Sequence, residues 1–316
     1  MKRFVVLVFL LAALDAPLAA QDADSAKKPA TPNAAPSQSG PIKVRVELVN
    51  VLFTVANKKN HLVIDLEKDD FRVLEDNKPQ TIRYFSRETN LPLRIGILVD
   101  TSNSIRARLH FEQEAAIDFL DTTLRPATDK AFVVAFDVES QLVQDYTSDV
   151  EKLANAIHGL QAGGGTGLYD AIYFACKAKM LIFPPPEPYL RRVLIIVSDG
   201  LDNQSEHTRD EALAMAQRGE VTVYGISTNR SGISARGDKV LKYLAEQTGG
   251  RAFFPFEASD LAANFQEISR ELRSQYSLAY VATNQARDGT FRTITIEPHE
   301  KGMHVRAKQG YFAPPQ

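Results

Sequence analysis

Between residues 92 and 274 the sequence alternates short apolar runs with amphipathic segments, and this alternation limits the fold more than any other feature. The predicted strands are 93–99, 131–137, 192–198, 221–227 and 251–255. The predicted helices are 105–122, 149–159, 167–180, 208–218, 238–247 and 258–273. Apolar strands separated by amphipathic helices are typical of a parallel sheet that is covered on both faces. We therefore expect a doubly wound, mainly parallel α/β sheet, with 140–146 as a candidate antiparallel edge.

Two segments with a β pattern flank this α/β region, at 43–90 and 275–316. Each flank has too few strands to form a stable β domain alone, and unpaired apolar strands invite aggregation. We therefore predict that the two flanks pair into one small β-sandwich, with the α/β domain of residues 91–274 inserted into it.

The first residues are typical of a targeting signal. Lys2 and Arg3 precede an apolar run, and small residues follow near Ala20. This pattern predicts a signal peptide at 1–20, with an uncleaved anchor as the alternative. Residues 21–42 are rich in Ala, Pro and Ser and predict a disordered linker. We expect an exported protein, periplasmic or secreted, without a membrane span after signal cleavage.

The charge of the chain argues against one class of partner. The net charge is −2, and no long basic run occurs. Proteins that bind nucleic acid present a basic face to the phosphates. We therefore expect no nucleic-acid partner.

Polar residues follow the buried strands at the edge where parallel sheets bind ligands. The candidate set is Asp100, Ser102, Ser104, Thr166 and Asp199. All five offer hard oxygen donors, which suit Mg²⁺ first and Mn²⁺ or Ca²⁺ as alternatives. With two carboxylates, the net charge of a site that holds a divalent cation is about zero, and the cation can bind one more anion. We expect that anion to be an Asp or Glu of a protein partner.

These motifs resemble those of the von Willebrand factor A domain. Asp-x-Ser-x-Ser follows the first strand, a threonine lies in a Gly-rich loop, and Ser-Asp-Gly follows a later strand. In that family they form a metal-ion-dependent adhesion site on a doubly wound sheet that binds proteins. The resemblance implies that Ser102, Ser104 and Thr166 ligate the metal, with Asp100 and Asp199 bound directly or through water. The flanks and the closing "VRAKQGYFAP" also resemble a bacterial group of exported proteins related to this domain.

Other interpretations remain open at this point. The residues around Asp100 are also common helix caps. Asp202 and Asn203 suit a solvated loop better than an outer shell or a second ion site. A phosphohydrolase of the haloacid-dehalogenase type places an Asp after its first strand, but it needs Asp-x-Asp, and Ser102 occupies the second position. A metal-free structural scaffold is a third alternative. We favour a binding module over an enzyme and assign no catalytic residue.

Overall fold

The computed structural model describes residues 48–182, 190–229, 236–255 and 258–315. The predicted signal peptide and linker lie outside the described residues. The strands are β1 Leu48–Ala56, β2 Phe71–Glu75, β3 Lys78–Gln80, β4 Ile82–Glu88, β5 Leu93–Asp100, β6 Lys130–Phe136, β7 Ser140–Thr147, β8 Arg191–Ser198, β9 Val221–Ser227, β10 Ala252–Phe253, β11 Gln275–Val281, β12 Phe291–Pro298, β13 His304–Ala307 and β14 Gly310–Phe312. The helices are α1 Leu109–Thr123, α2 Val150–His158, α3 Leu168–Phe174, α4 Arg209–Arg218, α5 Arg236–Thr248 and α6 Ala258–Leu272.

A six-stranded sheet of order β10-β9-β8-β5-β6-β7 forms the centre of the α/β region. Strand β5 pairs in parallel with both β6 and β8, whereas β7 pairs with β6 in the antiparallel direction. The predicted doubly wound, mainly parallel sheet with an antiparallel edge is therefore confirmed. The strand order reverses at β5, so the crevice for ligands is expected beside the carboxyl end of this strand.

Strand β5 is buried on both faces because its residues alternate between two apolar cores. Ile95, Ile97 and Val99 pack beneath α1, α2 and α6. Leu98 packs on the opposite face with α3, α4 and α5. A Cβ on Gly96 would lie 2.4 Å from the Phe132 ring, so only glycine fits between these neighbours. Because the strand is buried along its length, the position of its last residue, Asp100, at the edge of the sheet is fixed.

The helix predicted at 167–180 is an α-helix only over Leu168–Phe174 and continues as a π-helix over Ala175–Met180. Two other predicted boundaries also differ from the structure. The helix predicted at 105–122 begins at Leu109, because Asn103–Ile105 form a 3₁₀ turn first. The strand predicted at 251–255 shortens to Ala252–Phe253. Both differences lie beside loops, where tertiary contacts rather than periodicity decide the backbone conformation.

The flanking strands form two further sheets, of order β13-β1-β11-β4 and β14-β12-β2-β3. Both sheets combine strands that precede and follow the α/β region. Their inner faces share one apolar core, in which Phe53, Phe71 and Tyr276 pack ring against ring. Residues 46–316 form one compact unit, so the division at residues 90 and 274 stays a prediction.

A buried carboxylate joins the sandwich to the α/β region. Glu271, near the end of α6, accepts hydrogen bonds from Arg306 Nη2 at 3.0 Å and from Tyr224 OH at 3.1 Å. Thr54 Oγ1 of β1 donates a further bond at 3.3 Å. These partners come from β13, β9 and β1, so one side chain fixes the last helix against both parts. No helix within the described residues is long and apolar enough to cross a membrane.

Candidate metal centre

The predicted site lies at the carboxyl ends of β5 and β8. Asp100 is the last residue of β5, and Ser198 is the last residue of β8. The strands are parallel neighbours, with Val99 opposite Val197. Loops that leave neighbouring parallel strands at the same edge meet there, as in other open α/β sheets.

Asp100 is fully buried, and both of its oxygens accept hydrogen bonds. Its Oδ1 accepts from Ser102 N at 2.8 Å, and its Oδ2 accepts from Ser198 Oγ at 2.7 Å. Burial raises the pKa of this carboxyl, while the bonds from Ser198 and Ser102 oppose the shift. The negative charge of Asp199 also raises it, which places the two carboxylates within electrostatic reach.

The hydroxyls of Ser102 and Ser104 lie 2.9 Å apart, with Ser102 buried and Ser104 exposed. An octahedral Mg²⁺ holds oxygen at about 2.1 Å, which separates neighbouring ligands by about 2.9 Å. The spacing of this hydroxyl pair therefore fits one edge of a magnesium coordination shell. The exposure of Ser104 leaves that edge open to solvent.

The Gly-rich loop is hydrogen bonded to both neighbouring loops. Gly163 N donates to Thr101 O at 2.7 Å, and Thr166 N donates to Asn203 Oδ1 at 3.0 Å. Gly164 has φ of +78°, which explains the glycine at this bend. Thr166 is 5% exposed, and its hydroxyl makes no hydrogen bond among the described residues. The backbone of Thr166 is therefore fixed, and its hydroxyl oxygen has no partner among the described residues.

Asp199 begins the third loop and is half-buried. Its Oδ1 accepts from Leu201 N at 2.9 Å, so the carboxylate turns back over its own loop. Gly200 has φ of +75°, and a Cβ there would lie 2.2 Å from Gly237 O. The close approach of these two backbones fixes the loop beside α5.

Three residues make supporting contacts that the sequence did not indicate: Ser198, Asp202 and Asn203. Ser198 fixes Asp100 and also accepts from Gly200 N at 3.0 Å. Asp202 and Asn203 lie in an irregular loop, with Asn203 exposed and Asp202 half-buried, which agrees with the solvated-loop interpretation, but both also bond to the neighbouring Gly-rich segment. Asn203 holds the backbone of Thr166, and Asp202 Oδ1 accepts from Tyr169 N at 3.3 Å. The signal for Ser198 was a hydroxyl at the end of an otherwise apolar strand.

Glu112 is a further buried carboxyl, placed behind the site on α1. Neither of its oxygens accepts a hydrogen bond among the described residues, and Arg108 Nε lies 3.8 Å away. Its pKa is raised to about 8, mainly by burial; Arg108 opposes the shift, and the charges of Asp100 and Asp199 add to it. The three acids thus share one electrostatic environment.

The donor chemistry fits a hard divalent cation. The five candidates supply three hydroxyls and two carboxylates, and the loops that carry them are hydrogen bonded to one another. Within the described ranges, no group of three or more His, Cys, Asp or Glu is arranged to hold a metal ion. The candidate centre contains only two residues of those types, so its ligands must be mainly hydroxyls.

Comparison with known proteins bears on the fold and on the motifs. No curated protein matches the sequence. A von Willebrand factor type A protein from Catenulispora acidiphila superposes with a TM-score of 0.51 at 13% identity, covering 86% of this chain and 74% of that one. BatB from Bacteroides thetaiotaomicron gives 0.46 at 20% identity, covering 57% and 98%. Proximal thread matrix protein 1 from the mussel byssus, with a zinc-occupied MIDAS motif, gives 0.48 at 17% identity, covering 64% and 50%.

The family match covers all three loops that carry the candidate centre. Residues 95–201 match the sequence model of the von Willebrand factor type A domain. This range includes β5 from Ile95 onward, the Gly-rich loop, and β8 with the Asp-Gly that follows its last residue, Ser198. The likeness in fold to the Catenulispora protein agrees with the match. Over residues 95–201 the chain is therefore similar in sequence to the von Willebrand factor type A domain.

Proposed function

We propose that this protein is an exported binding module that captures a carboxylate of a protein partner through a divalent cation. The proposed ligands are Asp100, Ser102, Ser104, Thr166 and Asp199. Mg²⁺ is the proposed ion, with Mn²⁺ and Ca²⁺ as alternatives, since all five donors are hard oxygens. Export to the periplasm or beyond is part of the proposal and follows from the N-terminal sequence pattern.

One observation carries the proposal: the Ser102 and Ser104 hydroxyls form a pair at 2.9 Å, in front of an Asp100 whose oxygens are already engaged. The neutral Ser104 is therefore exposed, and the Asp100 carboxylate is fully buried. A cation held in this way keeps much of its positive charge. It would supply an electrophilic position that prefers an external anion.

Each residue has a distinct part in this proposal. Ser198 and the Ser102 backbone hold the Asp100 carboxylate in one orientation. Asn203 Oδ1 accepts a hydrogen bond from the backbone of Thr166, and the Thr166 hydroxyl makes no hydrogen bond among the described residues. Asp199 is half-buried, so it borders the opening through which a partner's side chain would enter. Glu112 adds little negative charge near neutral pH, because its pKa is raised to about 8.

The proposal contains no catalytic step. A haloacid-dehalogenase type phosphohydrolase needs a second aspartate as general acid, and Ser102 occupies that position with its hydroxyl against Ser104. If the wild type hydrolyses an aryl phosphate in Mg²⁺ and Asp100→Asn does not, the protein is a phosphohydrolase and the proposed binding function is wrong. A metal-free scaffold differs from the proposal in having no affinity for the ion.

Two titrations test the proposed function. Calorimetry with Mg²⁺ should give saturable heat for the full chain and none for the double variant Asp100→Ala/Asp199→Ala. A peptide of Gly and Ser with one central Asp is then added to the protein. It should shift amide resonances of the protein in Mg²⁺ but not in EDTA. The same peptide with Asn in place of Asp should shift none. Equal heat from both proteins, or equal shifts from both peptides, would overturn the proposal.

A further inference from the structure

A basic cleft of about 420 Å³ opens between the first turns of α4 and α5. We define the basic cleft by Tyr169, Arg209, Asp210, Arg236 and Lys239, which line it. Three cations and one carboxylate thus meet in one concave surface. Such a surface raises the local concentration of anions.

The basic cleft borders the candidate metal centre through two short connections. Tyr169 N donates to Asp202 Oδ1, in the loop that begins at Asp199. Gly237, next to Arg236, lies so close to this loop that a Cβ on it would be 2.0 Å from Asp199 O. The residues of the cleft and those of the centre therefore belong to the same packed loops.

Two of the three cations in the basic cleft are available to a ligand. Arg209 forms an ion pair with Asp210 at 3.0 Å and stacks on the ring of Tyr243. Arg236 and Lys239 are exposed and make no ion pair within the described part of the chain. The guanidinium and ammonium groups of these two residues therefore remain unneutralised by contact within the described part of the chain.

We propose that the basic cleft binds a second acidic side chain of the same partner whose first carboxylate reaches the metal. This inference rests on the proposed function and names its partner class: a protein segment with at least two acidic residues. The guanidinium of Arg236 offers paired donors to a carboxylate, and Lys239 adds a mobile charge. Because both cations are exposed, an extended chain crossing the loop edge meets them more readily than an enclosed small anion would.

The cleft also gives the metal centre its selectivity. A single carboxylate that reaches the cation is a feature of nearly every protein surface. A second acidic group at a fixed separation is much rarer, so two linked contacts discriminate where one does not. Basic partners are repelled by Arg236 and Lys239 before they reach the cation.

The test uses the full chain and a fluorescein-labelled peptide of alternating Glu and Gly. Binding is followed by anisotropy in Mg²⁺ and in EDTA, over a range of salt concentrations. The double variant Arg236→Ala/Lys239→Ala should weaken binding about fivefold or more in both media and reduce its salt dependence. The matched control Lys78→Ala/Arg83→Ala removes the same charges from exposed strands of the sandwich and should bind as the wild type does.

The outcomes separate the cleft from the metal centre. Wild-type affinity in Arg236→Ala/Lys239→Ala, or equal binding of a peptide of alternating Gln and Gly, overturns the cleft proposal. If Asp100→Ala/Asp199→Ala and EDTA leave binding unchanged while the cleft variant weakens it, the cleft stands and the proposed metal function fails. Losses in both double variants, with the larger total loss in their combination, support the two-contact model.

Discussion

Ser198 Oγ donates a hydrogen bond of 2.7 Å to Asp100 Oδ2, and this bond joins the carboxyl ends of two neighbouring parallel strands. Both residues are fully buried. The bond leaves Asp100 one fixed orientation, since Ser102 N holds its other oxygen. The geometry of the candidate centre therefore depends on a residue that is not itself a proposed ligand.

Replacing Ser198 by Ala should weaken Mg²⁺ binding about tenfold, because a hydrogen bond to a charged group contributes about 1.5–3 kcal/mol. Ser227→Ala is the matched control. Ser227 lies opposite Ser198 on β9 and donates at 2.6 Å to Asp238, which is not a proposed ligand. Calorimetry should give wild-type Mg²⁺ affinity for the control only. Identical affinities for the two variants would exclude the positioning role of Ser198.

Glu112 should make stability fall as the pH rises. Its pKa is raised to about 8 in the folded chain, from 4.5. Between these values the folded state binds more protons than the unfolded state, so the free energy of unfolding decreases with increasing pH. Glu112→Gln should remove this slope. The measurement is urea denaturation in EDTA over that pH range.

The control for Glu112 is Glu246→Gln, which leaves the slope in place. Lys242 and Glu246 have the same spacing along a helix and the same 3.8 Å separation as Arg108 and Glu112, but they are exposed. A wild-type slope in Glu112→Gln would show that another group dominates the pH dependence.

The strand and helix pattern was predictable because burial alternates with period two or near four along each element. Strand 93–99 was placed within one residue of Leu93–Asp100 for this reason. The 3₁₀ turn at Asn103–Ile105 could not be predicted from the sequence, because it depends on contacts from distant parts of the chain. Arg108, for example, donates to Thr228 O beyond the end of β9.

The residue types of the candidate site could be predicted from the sequence. The hydrogen bonds that position the candidate ligands could not. Oxygen donors after apolar strands are visible in the sequence, and their motifs resemble a known family. The bonds from Ser198 to Asp100 and from Thr166 to Asn203 join residues far apart in sequence, so no local pattern indicates them. The burial of Glu112 likewise depends on how α1 packs over the sheet.

Arg306→Met should destabilise the protein by about 3 kcal/mol or more, because it leaves the Glu271 carboxylate buried without its ion pair. The side chains are 18% and 1% exposed. The control Arg72→Met breaks the exposed pair with Glu297 and should cost about 1 kcal/mol or less. Chemical denaturation measures both. Equal losses would remove the junction role assigned to Glu271.

Gly200→Ala should lower both stability and Mg²⁺ affinity, because its Cβ would lie 2.2 Å from Gly237 O. Gly289→Ala separates the backbone cost from the clash, since Gly289 has φ of +68° and no atom within 4 Å of an added Cβ. The control should lose about 1–2 kcal/mol from the left-handed conformation alone. Thermal unfolding and calorimetry compare the two variants; equal losses with unchanged Mg²⁺ affinity would contradict the prediction.

The most direct test of the metal centre is an anomalous difference map from crystals soaked in Mn²⁺. The account predicts one peak in contact with the hydroxyls of Ser102, Ser104 and Thr166, and none in crystals of Asp100→Ala/Asp199→Ala. Saturating Mn²⁺ that gives no peak at these three hydroxyls would contradict it.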